Sequence, residues 1–219
     1  DPQENGEDAG NPYGAILRID PLGTNAPNGQ YGIVPENALA ADGLNTTLGQ
    51  IFAFGLRNPQ RFGWDTKTGH MYTADIGQNA VEEINLVANG GDFGWDRREG
   101  SFPFEGGGSA LIDPIAEYDH TNPVSEMPTS IGNRAVTLGE VVRDSLLPGL
   151  NGHLVVADFP TGLFFALNVD TGTLNGGQSE LRQVRLRSPA GQTLPFISFI
   201  NAARAVRGLG TSSRADLRF

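Results

Sequence analysis

The sequence contains no cysteine among its 219 residues, which excludes disulfides, thiolate metal sites and thiol catalysis. This absence does not identify a compartment, because many exported bacterial proteins also lack disulfides. No apolar run approaches the length of a membrane span. Basic residues are also few: 15 Lys and Arg stand against 25 Asp and Glu, for a formal net charge of -10. Such a chain repels a phosphate backbone, so nucleic acid is not an expected partner.

Glycine and proline, by contrast, are abundant. The chain has 30 Gly and 14 Pro, while charged residues make up 18% and hydrophobic residues 38% of it. This composition is typical of a globular β-rich protein with many turns and does not fit a disordered chain. The length is sufficient for one all-β domain with a sizeable core.

A short pattern occurs twice in the sequence. GHMYTAD at residues 69–75 returns as GHLVVAD at residues 152–158, which is 83 residues later. Each copy has a turn glycine, an apolar strand that ends in Asp, a polar loop and then a second strand. A propeller blade of the WD40 kind takes roughly 40 to 45 residues, so the offset fits two blades of a radially repeated all-β fold.

Alternating apolar residues bounded by turn residues predict most of the other elements. We expect strands at residues 14–20, 51–56, 61–65, 71–74, 82–87, 115–118, 153–158, 163–169 and 180–186. Residues 138–147 are ambiguous, because their spacing fits either a helix or a strand followed by a loop. After residue 186 we expect weak strands to continue to the end of the chain.

Both ends of the sequence resemble the interior of a domain. The first eight residues are polar and acidic and read as a mid-domain loop, not as a signal peptide. Residues 214–219 look like the start of a strand that has nothing to turn back on. We therefore expect residues 1–219 to be a partial domain, with N-terminal blades and a final strand missing.

Several motifs stand in the order seen in one protein family. They are ILRID (16–20), GLRNPQRF (55–62), DIGQN (75–79) with EEIN (82–85), GGDFGW (90–95), REG (98–100) and EYDH (117–120). Together they resemble the glucose/sorbosone dehydrogenases, also called soluble aldose sugar dehydrogenases. Members of that family are six-bladed β-propellers that use pyrroloquinoline quinone (PQQ) and calcium, so the resemblance implies that this chain is the C-terminal part of such a propeller.

The resemblance also implies a reaction. An aldose sugar would be oxidised at its anomeric carbon, with hydride passing to PQQ, and calcium would act as a Lewis acid on the quinone oxygen. The partners would be a small-molecule sugar and an external electron acceptor, and the protein would be periplasmic or secreted. The general-base histidine of the family is expected outside this chain, so we expect the isolated chain to be inactive or to depend on the missing segment.

Two pairs of residues are assigned by the resemblance to the cofactor end of the site. Arg57 and Asn58 follow an apolar strand, and a guanidinium suits a cofactor that carries several carboxylates. The plainer alternative is that Arg57 pairs with a neighbouring Asp and braces a loop. Gly77 and Gln78 lie in a loop whose backbone carbonyls would hold the calcium, since calcium accepts carbonyl ligands.

Four further residues are weaker candidates. Glu83 and the carbonyl of Phe93 match a second, structural calcium position, although acids in a run such as Glu82 and Glu83 usually mark a solvated strand edge. Arg214 and Arg218 resemble two closely spaced arginines that contact the cofactor in related enzymes, but their spacing differs.

Other residues limit what the resemblance implies. His70 and His153 follow turn glycines and are interpreted as structural, and His120 is interpreted as a loop cap, so none is a candidate general base. Pro160 stands where a cofactor-binding Lys is common. Trp95 could stack on a ligand, although packing is the commoner use of tryptophan. A non-catalytic extracellular propeller that binds a protein or a glycan therefore remains the alternative function.

Overall fold

The computed structural model of the chain describes residues 1, 3–106, 111–120, 134–172 and 178–216. Nearly all of its regular structure is β. In chain order the strands are β1 (Ile16–Leu17), β2 (Ile19–Asp20), β3 (Gly32–Ile33), β4 (Ile51–Phe54), β5 (Arg61–Trp64), β6 (Met71–Asp75), β7 (Val81–Val87), β8 (Gly91–Asp92), β9 (Arg98–Glu99), β10 (Phe102–Pro103), β11 (Ala116–Asp119), β12 (Val136–Val141), β13 (His153–Asp158), β14 (Leu163–Asn168), β15 (Arg182–Val184), β16 (Leu186–Arg187) and β17 (Thr193–Leu194).

Two four-stranded antiparallel sheets form the centre of the described fold. Their strand orders are β11-β7-β6-β5 and β12-β13-β14-β15. β12 packs against both β5 and β6, and one hydrophobic core lies between the sheets, with Tyr72, Ile84, Leu138, Val156 and Phe165 among its members. β6 is buried along its whole length, whereas the edge strand β5 is largely exposed.

The two copies of the repeated pattern occupy equivalent strands, β6 and β13, of these sheets. The sheets contact each other directly, so the copies belong to neighbouring blades. The prediction that the 83-residue offset spans two blades of roughly 40 to 45 residues was therefore wrong, because the offset corresponds to one step between neighbouring blades. The offset is long because β7 and β11, although paired in one sheet, are separated in sequence by residues 88–115, which include three short strands.

A smaller sheet of order β1-β4-β8 precedes these blades. Along β4 the side chains alternate between buried and partly buried, as expected for a strand with one face on a core. That core contains Ile16, Ala53, Leu56 and Phe93. β4 also pairs in parallel with β8, and this pairing fixes the position of the residues that follow β4.

The structure selects one of the two readings of the ambiguous segment and differs from expectation in the C-terminal part. Residues 136–141 form strand β12, which is followed by turns, so the strand reading of that segment is correct. Beyond β17 the chain forms a helix, α1 (Phe196–Val206), where weak strands were expected. Its apolar residues recur at three- and four-residue spacing, and the ring of Phe196 packs edge-on against Phe164 at a centroid distance of 5.5 Å. Residues 214–216 form no strand, and residues 217–219 lie outside the described ranges.

None of the helices in the described ranges has the length and apolarity to cross a bilayer.

An arginine clamps the two four-stranded sheets together. Arg143 follows β12 and donates to the turn carboxylate Asp65 from Nε at 2.8 Å and from Nη2 at 2.6 Å. Its Nη1 also donates to Asp170 at 2.8 Å. The Asp65 side chain is fully buried, and the hydrogen bonds from Arg143 hold the pKa of that carboxyl well below its usual range. The clamp thus joins the β5–β6 turn to the end of β14.

We predict that Arg143→Ala destabilises the chain strongly, because it leaves the Asp65 carboxylate buried without its partner. The expected fall in Tm is roughly 5 to 10 °C at pH 7. A carboxyl whose pKa is depressed by folding stabilises the fold above its unfolded pKa, and this stabilisation is lost as the pH falls. The difference between variant and wild type should therefore shrink below about pH 4.

The matched control is Arg182→Ala, since Arg182 pairs with Glu180 in full exposure to solvent. Its Tm should stay close to that of the wild type at every pH. Equal effects of the two substitutions would show that Arg143 is not a clamp.

Candidate functional site

The predicted Arg57–Asn58 pair lies just after β4, where it is held by a carboxylate from another sheet. Asp75 ends β6, and its side chain accepts the backbone N–H of Arg57 at 2.8 Å and that of Asn58 at 2.6 Å. Burial raises the pKa of Asp75 to about 6, although these two N–H groups act to lower it. The pair is therefore positioned through its backbone, which leaves both side chains available.

The Arg57 guanidinium lies against the predicted calcium-binding loop. Its Nε and Nη2 both donate to the side-chain oxygen of Gln78, the first at 2.9 Å, and its Nη1 donates to the carbonyl of Ile76 at 3.0 Å. The guanidinium carbon is 5.4 Å from the centre of the Trp95 ring. Within the described part of the chain no carboxylate forms an ion pair with Arg57, so the pairing with an Asp that we considered does not occur. Arg57 does brace the loop, but through neutral partners.

A buried glutamate organises the same loop from the other side. The Oε1 atom of Glu99 accepts the backbone N–H groups of Gln78 (2.7 Å), Asn79 (2.7 Å), Ala80 (2.8 Å) and Val81 (3.3 Å). Glu99 is 2% exposed, and its second oxygen, Oε2, is buried with no hydrogen-bond partner among the described residues. Successive N–H groups that converge in this way form an anion-binding nest, here filled by the chain's own carboxylate.

Gly77 opens this loop in a position that only glycine can occupy. A Cβ atom at residue 77 would lie 1.7 Å from the carbonyl oxygen of Val81 and 2.8 Å from Oε1 of Glu99. The requirement here is close approach and not backbone conformation. Within the described ranges, no donor reaches the carbonyl oxygen of Gly77 or of Gln78.

These segments line one open, shallow pocket of about 360 Å³, formed by Asp1, Arg57, Asn58, Gln78 and Trp95. The packing interpretation of Trp95 is confirmed, because its ring packs on Phe104 at 5.2 Å. The ring also lines the pocket, and its stacking on a ligand stays a prediction. The structure thus brings the Arg57–Asn58 turn and the Gly77–Gln78 loop together, as the sequence predicts. Their role in binding a cofactor or a metal stays a prediction.

Glu83 and Phe93 are both buried, but in different surroundings. The interpretation of Glu82 and Glu83 as a solvated strand edge is wrong, because β7 is an interior strand and both side chains are buried. Glu83 accepts the N–H of Gly100 at 2.6 Å, while the Phe93 side chain belongs to the core beneath β4. The second calcium position stays a prediction.

Two buried carboxyls face each other across the β6–β7 pair, since Asp75 is the cross-strand partner of Glu83. Burial, and then the charge of Asp75, raise the pKa of Glu83 to about 8. In the described part of the chain, no group of three or more His, Asp or Glu side chains could hold a metal ion. A calcium ion there would therefore depend on carbonyl oxygens.

The three histidines lie away from the Arg57 pocket. His120 bonds through Nε2 to Oε1 of the fully buried Glu82 at 2.6 Å. Burial lowers the pKa of His120, but the hydrogen bond and charge of Glu82 outweigh this effect, so the pKa is raised. His70 packs edge-on against Tyr72, and His153 lines a separate cavity of about 260 Å³. None of them is among the described residues that line the Arg57 pocket.

The structure does not bring Arg214 into the pocket. It pairs with Asp216, two residues away, at 2.9 Å, and both side chains are about half exposed. The neighbouring Ala215 donates its N–H to the carbonyl of Pro160 at 2.8 Å, so this segment lies beside the Pro160 loop. Arg218 lies outside the described residues.

The chain matches a known protein family over most of its length. The family model described as Glucose / Sorbosone dehydrogenase matches residues 1–190. The HIPL1 protein of Arabidopsis thaliana is 32% identical over 141 residues, which are 59% of this chain and 19% of that protein. Quinoprotein glucose dehydrogenase B of Acinetobacter calcoaceticus is 30% identical over 91 residues, which are 42% of this chain and 16% of that protein.

One solved structure extends the comparison to the fold. The PQQ-bound form of the aldose sugar dehydrogenase from Streptomyces coelicolor superposes with a TM-score of 0.52 and 19% identity, covering 82% of this chain and 41% of that one. This likeness confirms the predicted all-β propeller architecture. The chain spans less than half of that neighbour and about a fifth of the HIPL1 protein.

The raised pKa of Glu83 should make the stability of the fold depend on pH. A carboxyl with a raised folded-state pKa stabilises the fold at low pH, and this contribution is lost as the pH rises through the folded-state value. With a chelator present, the wild type should therefore lose stability between about pH 5 and pH 8.5. Glu83→Gln should remove much of this loss and raise the free energy of unfolding by about 1 to 3 kcal/mol at pH 8.5, measured by urea denaturation.

Asn85 supports this substitution. Its Nδ2 donates to Glu83 at 3.1 Å and its Oδ1 is buried without a partner among the described residues, so a flip of the Asn85 amide lets Oδ1 accept from the new amide. Glu180→Gln serves as the control at an exposed carboxyl. A variant as pH-dependent as the wild type would contradict the assignment to Glu83.

Proposed function

Because the chain belongs to the glucose/sorbosone dehydrogenase family, we propose that its Arg57 pocket is the cofactor end of a site where an aldose sugar is oxidised at its anomeric carbon, with hydride passing to PQQ. The observation that carries the proposal is the meeting of two segments. One has an Arg57 guanidinium whose hydrogen bonds in the described chain go to neutral oxygens, and the other has two carbonyls that accept no hydrogen bond there.

The pocket suits an anionic, planar group. A guanidinium has five N–H donors, and the three hydrogen bonds from Arg57 to Gln78 and Ile76 leave two of them for a ligand. Charge-assisted bonds from Arg to a carboxylate or a quinone oxygen are strong and directional. Asn58, which is exposed in the same pocket, adds a side-chain amide that can donate or accept.

Calcium would be held by the carbonyl oxygens of Gly77 and Gln78. These are oxygen ligands of the kind that calcium prefers, and water and the cofactor can complete its six to eight positions. When bound, PQQ supplies the hydride acceptor and calcium the Lewis acid, so that the sugar loses a hydride from carbon and a proton from its hydroxyl.

The chain's own residues would bind the cofactor and orient it. Arg57 and Asn58 fix the cofactor, Gly77 allows the loop to fold tightly, and Gln78 joins the two segments. The sugar, the external electron acceptor, a periplasmic or secreted location and a general-base histidine elsewhere in the protein complete the proposal. The family's general base has no counterpart in the Arg57 pocket within the described residues.

A second candidate function is a non-catalytic propeller that binds a protein or a glycan. Pro160 favours it, because a neutral ring stands where the resemblance leads us to expect a cofactor-binding Lys.

Titration of the full-length protein with PQQ and calcium distinguishes the dehydrogenase from the binding propeller. We expect a stoichiometric absorbance change in the wild type, and quinone binding weakened roughly 10- to 100-fold by Arg57→Leu. Arg18→Leu is the matched control, because Arg18 also stacks on an aromatic ring, that of Phe52 at 5.8 Å, but in another part of the surface. A flat wild-type titration would reject the dehydrogenase and favour the binding propeller.

A further inference from the structure

We propose that Glu99 is the positioning residue of the cation site: by binding four successive amides it turns the carbonyls of Gly77 and Gln78 toward the position of the metal. The inference rests on the proposed function, since it explains how that loop becomes able to bind calcium. Glu99 would touch neither the metal nor the sugar, and would act through the backbone of residues 77–81.

The backbone amides of residues 78–81 share one direction. The N–H groups of residues 78–81 all point at one atom, Oε1 of Glu99, at distances from 2.7 to 3.3 Å. One oxygen seldom receives so many donors, and a charged oxygen holds each of them more strongly than a neutral one does. The loop therefore has a fixed orientation with respect to Glu99.

The carbonyls of Gly77 and Gln78 point away from Glu99. In a trans peptide unit the C=O and the following N–H lie in one plane and point in opposite directions. The only cis bond in the described chain joins Trp95 and Asp96, so the units of this loop are trans. Since the N–H of Gln78 points to Glu99, the carbonyl of Gly77 points away from it. The same holds for the carbonyl of Gln78 and the N–H of Asn79.

The neighbouring peptide unit supports this geometry. The carbonyl of Ala80 shares its unit with the N–H of Val81, and it accepts the backbone N–H of His120 at 2.8 Å. It thus binds a group other than Glu99, as the trans geometry requires. The carbonyls of Gly77 and Gln78 point outward in the same manner, but within the described ranges they meet no donor.

The negative charge of Glu99 adds to its effect on the orientation of the loop. The Glu99 carboxylate stands behind four peptide dipoles and polarises them, because hydrogen bonds in a buried chain strengthen one another. This makes the outward carbonyl oxygens better ligands for a cation. The second oxygen, Oε2, has no hydrogen-bond partner among the described residues, so within the described ranges the hydrogen bonds of the Glu99 carboxylate all go to the loop.

Terbium luminescence can test the inference without any enzymatic assay. Terbium takes the oxygen ligands that calcium takes, and a nearby tryptophan sensitises its emission. The chain has two tryptophans, so a Trp64→Phe background leaves only Trp95, which lines the same pocket as Gln78. Terbium is titrated into this chain, and calcium is then added to displace it.

We expect Glu99→Gln to weaken terbium and calcium binding roughly tenfold, since a neutral oxygen replaces a charged one. Glu99→Ala should weaken both further and speed hydrogen exchange of the amides of residues 78–81. The matched control is Glu117→Gln, because the Glu117 carboxylate binds the nearby Ser101 and not the loop. It should keep wild-type affinity.

Each outcome decides a separate question. If the Trp64→Phe chain binds no terbium, both the calcium site and the role of Glu99 are rejected. If it binds terbium and Glu99→Gln binds equally well, only the role of Glu99 is rejected. Equal losses in Glu99→Gln and Glu117→Gln would indicate a general charge effect and would also overturn it. Thermal unfolding of each variant identifies losses that come from misfolding, and Glu99→Gln, which keeps the shape of the side chain, remains the decisive variant.

Discussion

The site depends on buried carboxylates that bind backbone amides. Glu99 holds the N–H groups of residues 78–81, and Asp75 holds those of Arg57 and Asn58. Two loops from different sheets are thus fixed by acids that make no use of the arginine's charge. This explains how a chain with a net charge of -10 can present, among its described residues, a guanidinium without an ion pair beside carbonyl oxygens that accept no hydrogen bond. The carboxylates of Asp75 and Glu99 are committed to the backbone, behind the surface where an anionic ligand would bind.

The repeated strands show how the fold supplies such anchors. Asp75 and Asp158 end equivalent strands, β6 and β13, and both are buried. Asp158 accepts the N–H of Thr161 at 2.9 Å and its hydroxyl at 2.6 Å, so it fixes the loop that carries Pro160. In both of these blades, therefore, the acid that ends the repeated strand holds a loop at that end of the sheet. In the first blade Asp75 holds the Arg57–Asn58 turn, and in the second Asp158 holds a loop with a proline where the family commonly has a lysine.

Much of this could be predicted from the sequence, and the misses have physical causes. The main strands follow from alternation, and the convergence of Arg57 with Gln78 follows from ordered motifs at strand ends. Glu99 was missed because its partners are backbone amides about twenty residues away, which leave no pattern in the side chains. The burial of Glu82 was missed because two adjacent acids resemble an exposed edge, whereas β7 is covered on both faces. Helix α1 was missed because turn residues surround its short apolar period.

The most direct test is anomalous diffraction from crystals of the protein grown with terbium in place of calcium. The predicted result is a peak at about 2.3 to 2.6 Å from the carbonyl oxygens of Gly77 and Gln78, beside the Arg57 guanidinium and on the side of the loop opposite Glu99. A peak at the carboxyls of Asp75 and Glu83 alone, or no peak at the loop, would contradict a cation site built from those two carbonyls.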